Sequence, residues 1–77
     1  MDIIELIRKG DKEAIKQVYK ENSREVLEFA ESITGDHDSA MDVTKKTFVK
    51  LFSSIQGGES PLNIRLTDLK IAHDEAC

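Results

Sequence analysis

Twice in this chain a glycine is followed at once by an aspartate, at Gly10-Asp11 and Gly35-Asp36. Each pair falls between stretches whose apolar residues recur every three or four positions. Glycine accepts the left-handed backbone that ends a helix, and the aspartate carboxylate accepts a hydrogen bond from the free amides that begin one. The two pairs therefore mark places where one helix stops and another starts.

The opening "DIIELIRKG" reads as a short helix capped by Asp2, with Ile3, Ile4, Leu6 and Ile7 available for burial. Asp11 caps the next run, in which Ala14, Ile15, Val18 and Tyr19 hold the 3.6-residue period, resumed by Val26, Leu27, Ala30 and Ile33. Asn22 and Ser23 lie between these two stripes. Their side chains compete for backbone hydrogen bonds, so they are either tolerated inside one long helix or mark a break where Ser23 recaps a third, and a kink or break is the favoured reading.

Asp36 to Ser39 offers several caps for the next helix, and negative charge also suits a helix N-terminus. From there Ala40, Val43 or Thr44, Thr47, Phe48, Leu51, Phe52 and Ile55 line one face, while Asp42, Lys45, Lys46, Val49 and Lys50 fall largely outside it. "QGGES" is the clearest loop, and Ser60-Pro61 predicts the restart of a last helix. That helix is expected to bury Leu62, Leu66, Leu69, Ala72 and Ala76, with Ile64 and Ile71 to one side. No strand pattern competes. The expected fold is all-α, a compact bundle of about four helices in a single domain over residues 1–77.

A chain of 77 residues buries only about 60% of its unfolded surface, so modest stability is expected. With no Trp, and Tyr19, Phe29, Phe48 and Phe52 as its aromatics, its core must be mostly aliphatic. Cys77 is the only cysteine, which excludes an intrachain disulfide or a zinc cluster and fits a reducing, cytoplasmic setting. No apolar run is long enough for a membrane span or a signal peptide, so no membrane partner is expected.

Net charge is −4, with eight acidic and six basic residues up to Gly35, three of each in residues 36–56 and four against two thereafter. No part is a basic patch. Affinity for nucleic acid comes largely from lysine and arginine displacing counterions at phosphates, so this chain alone should bind DNA weakly.

No constellation for catalysis emerges, and the chain does not read as an enzyme. His37 between Asp36 and Asp38 is a helix-capping cluster rather than a metal site, because a metal needs three or four convergent ligands. His73 stands beside Asp74 and Glu75 as an ordinary surface histidine. "GGES" lacks the Lys-Ser/Thr of a phosphate loop. Neither a cofactor nor a metal is implied. Lys45, Lys46 and Lys50 form a solvated face, yet their helix also carries Val49, and a mixed apolar and charged strip is what a partner helix would use.

Taken together, "LIRKGDKEAIKQVYKEN", "LEFAESITGDHDSAMDVTKKTFVKLFSSI" and "LKIAHDEAC" resemble, in order and spacing, the second conserved domain (region 2) of the extracytoplasmic-function sigma factors of bacterial RNA polymerase. The matches include the "GD" start, the Thr-Gly-Asp turn, and Phe48, Leu51 and Phe52, and they span almost the whole chain. The resemblance implies a helix that docks on the clamp-helix coiled coil of the polymerase's largest subunit. It assigns Asp38, Asp42, Lys45, Lys46, Val49 and Lys50 to that polymerase-facing surface. It also implies capture of an unstacked base of the minus-ten promoter element, and assigns Gln56, Gly57, Gly58, Glu59, Ser60, Lys70, His73 and Asp74 to the strand-facing surface. An anti-sigma protein is a further implied partner.

The chain departs from the family at telling places. Lys45 and Lys46 stand where the family has Gln-Glu or Asp-Glu, reversing charge on the docking helix. Gln56 replaces a common aromatic, Thr67 a tryptophan and Asp74 an asparagine that helps hold the flipped base. Each of the last three removes stacking or adds negative charge near DNA. The family's promoter-reading helix-turn-helix has no counterpart in residues 1–77. Two readings follow from the resemblance: a divergent sigma domain whose DNA affinity comes from other parts, or a stand-alone sigma-like adaptor that binds polymerase or a regulator without reading a promoter.

Overall fold

The computed structural model describes residues 2–77. Four helices follow one another: α1 (Ile3–Arg8), α2 (Lys12–Thr34), α3 (His37–Gln56) and α4 (Ile64–Ala76). Among the described residues there is no strand. The all-α bundle of about four helices expected from the periodicity is the fold observed.

Both glycine-aspartate pairs act as the sequence indicates. Asp11 accepts from the amides of Glu13 and Ala14 at 3.0 and 3.1 Å. Gly35 ends α2 in the left-handed region, φ 70°, and returns its amide to the Glu31 carbonyl at 2.8 Å. Asp36 then caps α3 by accepting from the Ser39 amide at 2.9 Å. That bond holds the Asp36 carboxyl below its ordinary pKa.

The break expected at Asn22-Ser23 does not occur, and α2 runs unbroken for 23 residues. Asn22 donates its side-chain amide to the Val18 carbonyl one turn back, at 2.8 Å. Its polar group is thus satisfied along the helix instead of capping a new one. At 1.5 Å per residue α2 is about 34 Å long, and it sets the 38 Å long dimension of the molecule.

Ile4 and Ile7 of α1, Ala14, Val18, Val26 and Ala30 of α2, Ala40, Val43, Phe48, Leu51 and Ile55 of α3, and Ala72 of α4 form the core. Thr44 and Thr47 are buried with it, their hydroxyls donating to the Ala40 and Val43 carbonyls at 2.8 and 2.7 Å. Three of the four aromatics, Tyr19, Phe48 and Phe52, meet in series with tilted rings, their centroids 4.8 and 5.9 Å apart.

The last helix differs from expectation in start and orientation. Asn63, not Ser60, is its N-cap, accepting from the Leu66 amide at 3.1 Å, and Pro61 stays in the loop. Leu62 therefore precedes the helix and is fully exposed, and Leu66 points out as well. The inward face is Ile64, Asp68, Ile71 and Ala72, spaced as one side of a helix. Leucines and isoleucines are spread around α4, so its periodicity hardly selects a face. Two ion pairs flank the chosen one: Arg65 with Glu25 of α2 at 2.6 Å, and Glu75 with Lys50 of α3.

Candidate functional site

The outward face of α3 carries Asp38, Asp42, Lys45, Lys46, Val49 and Lys50, all of them exposed. Their spacing of three or four residues lays them along one side of the helix, opposite the buried stripe. Val49 is 65% exposed in the middle of that charged strip. Asp42 and Lys46 pair across one turn at 3.1 Å, while Lys50 leans toward α4 to meet Glu75. Lys45 leans the other way, toward α2, beside Met41 and Tyr19. The strip thus offers carboxylates near the helix N-terminus, one exposed apolar side chain and lysines between.

The residues assigned to a strand-facing surface fall in two places. Gln56, Gly57, Gly58, Glu59 and Ser60 lie at the end of α3 and in the loop after it, closed against α1. Arg8 donates to the carbonyls of Ile55 and Glu59 at 3.2 and 2.9 Å and to the Ser60 hydroxyl at 2.9 Å, and Gln56 donates to the Ile7 carbonyl at 3.4 Å. The guanidinium adds a second donor to the Ile55 carbonyl, which also accepts from the Gly58 amide at 3.1 Å, satisfies the loop carbonyl of Glu59, and meets the negative end of the α3 dipole. Lys70, His73 and Asp74 lie six to ten residues beyond the start of α4, about 9–15 Å along its axis. There His73 sits 3.9 Å from Asp74 and 3.7 Å from the Cys77 sulfur.

The cluster around His37 is built for the start of α3. Asp36 serves as its cap, and His37 Nδ1 lies 2.6 Å from Glu31 of the preceding helix.

Three features escape sequence reasoning. Arg8 reads as an ordinary basic residue in a last helical turn, because its partners are 47 to 52 positions away. Asp68 is only 1% exposed, and neither carboxylate oxygen has a hydrogen-bond partner among the described residues. Burial pushes its carboxyl up to about 7. Its one signal in the sequence is its place a turn from Ile64 and from Ile71 and Ala72. The third feature is an apolar furrow between α2 and α3 where Tyr19 and Met41 remain 44% and 46% exposed.

No protein-family model, curated protein or solved structure matches this chain.

Proposed function

We propose that this chain is a transcription-initiation module of the sigma region 2 type, working in the cytoplasm and docking on the clamp helices of RNA polymerase through the outward face of α3. The observation that carries this reading is the solvent-facing strip from Asp38 to Lys50, where Val49 stands exposed among charges on a helix whose opposite side is the best-buried surface of the bundle. An apolar side chain ringed by charges supplies contact area and orientation together, as helix-to-helix docking requires. Lys45 and Lys46 give the centre of the strip a positive character, so the matching clamp surface is one that tolerates or complements lysine. Promoter contact by this domain alone is weak, since an acidic chain has little means of displacing counterions from phosphate.

Titration of the intact chain with a clamp-helix fragment of the polymerase largest subunit tests the docking. Lys46→Glu should change the affinity while leaving the helical spectrum intact. An unchanged affinity in a folded variant removes the assignment.

A second reading, an adaptor that binds polymerase or an anti-sigma protein without reading a promoter, is favoured by the separation of the loop from Lys70, His73 and Asp74. Fluorescence anisotropy with single-stranded minus-ten DNA discriminates: salt-sensitive binding lost on changing the loop supports the sigma module, and none, with polymerase binding retained, supports the adaptor.

A further inference from the structure

The furrow between α2 and α3 is independent of the polymerase-docking reading. Its floor and walls are Ile15, Tyr19 and Leu27 of α2 with Met41 and Phe52 of α3, arranged as two shallow hollows of about 310 and 420 Å³ that share the Tyr19 ring. Tyr19 is held in place by the Phe48 ring beneath it, 4.8 Å between centroids, so the ridge between the hollows is preformed. From Ile15 to Leu27 the furrow is about 18 Å long, three turns of a helix at 1.5 Å per residue. That is the length over which an amphipathic helix presents anchors at i, i+4, i+7 and i+11 to a groove.

Charge says which kind of helix. This chain is acidic overall, with net charge −4, yet the furrow is edged by Lys12, Lys16, Arg24 and Lys45 against the single carboxylate of Glu13. Arg24 is taken by Glu28 one turn along α2, as Lys46 is by Asp42, Lys50 by Glu75 and Arg65 by Glu25. Lys12, Lys16 and Lys45 have no ion-pair partner among the described residues. Unpaired cations gathered round exposed apolar side chains complement a stripe of apolar side chains flanked by carboxylates.

We propose that the α2–α3 furrow receives a three-turn amphipathic helix of another protein, its apolar stripe seated on either side of Tyr19 and its flanking glutamates or aspartates paired with Lys12, Lys16 and Lys45. Lys45 belongs both to this rim and to the polymerase-facing strip, so an occupant of the furrow also covers one edge of that strip.

The test uses the isotope-labelled full chain and two synthetic helices with one apolar stripe, one flanked by glutamates and the other by lysines. The glutamate helix should shift the amides around Tyr19, Leu27, Met41 and Phe52 and bind at least about tenfold more tightly than the lysine helix. The double variant Lys16→Glu, Lys45→Glu should invert that preference. Tyr19→Ala should weaken the glutamate helix by about tenfold or more with the helical spectrum unchanged. Lys46→Glu, off the rim, should leave it unaffected, which separates failure here from failure of the polymerase reading. Equal binding of the two helices, shifts mapping to Leu62 and Leu66 instead, no binding at millimolar peptide, or sedimentation showing the furrow closed in a dimer of the chain each overturns the proposal.

Discussion

α3 and α4 are neighbours joined by one loop, and they hold to the bundle by different means. α3 buries Ala40, Val43, Thr44, Thr47, Phe48, Leu51 and Ile55, with both threonine hydroxyls satisfied by its own carbonyls. α4 fully buries only Ala72 and Asp68. What seats it is the half-buried pair Ile64 and Ile71, with Arg65 and Glu75 reaching to the neighbouring helices. A helix whose apolar residues fall on one stripe docks by its own pattern, whereas one whose apolar residues are spread around docks by what its flanks can reach. The second kind can carry a carboxyl into the contact, and its seating then depends on that group's charge.

The largest expected effect tests the contrast directly. Leu51→Ala should cost about 2–5 kcal/mol in chemical denaturation, a large share of what so small a domain has, because it opens a cavity at the centre of the core. Leu66→Ala on α4 should stay within about 0.5 kcal/mol, since that side chain already meets water. Comparable losses from the two would mean that α4 buries its leucine side after all.

Next comes the response to pH. The folded value of Asp68, about 7, lies above the ordinary 3.8, so the folded chain holds this proton more tightly than the unfolded one. The stability tied to the protonated carboxyl is complete below about pH 4 and is lost as pH rises to about 7. The loss is at most roughly 4 kcal/mol. Asp68→Asn should flatten the stability profile over that window, and Asp68→Leu should raise the melting temperature at neutral pH. A profile with the same slope in the Asn variant would mean that Asp68 is not the group responsible.

Smaller again is the cap. Asn63→Ala should cost about 1 kcal/mol and speed hydrogen exchange in α4 while leaving the amides of α3 protected. Uniform acceleration across both helices would show that they open together, which erases the distinction. The smallest effect belongs to Arg65 and Glu25, whose side chains are 67% and 40% exposed. A double-mutant cycle on them should give no more than about 1 kcal/mol, weakened by salt.

Where the sequence was readable, it was readable for local reasons. Asp11, Gly35 and Asp36 act on amides and carbonyls within four residues, so their roles follow from residue type and order. The outward strip on α3 could be placed because a strong buried stripe fixes the opposite side of the same helix. At Asn22-Ser23 the local reasoning misled, since an asparagine able to bond back one turn is tolerated inside a helix with good apolar anchors before and after it.

The sequence by itself determined that this protein is helical, roughly where three of its four helices begin and end, and which side of α3 faces water. Those outcomes rest on hydrogen bonds and periodicities that span a few residues. Only the tertiary structure decided the rotation of α4, the burial of Asp68, the clasp of Arg8 on the loop 47 to 52 positions away, and the cation-edged furrow between α2 and α3. Each of these arises where two distant stretches of chain meet, and the energy of such a meeting is a property of both surfaces that neither stretch carries alone.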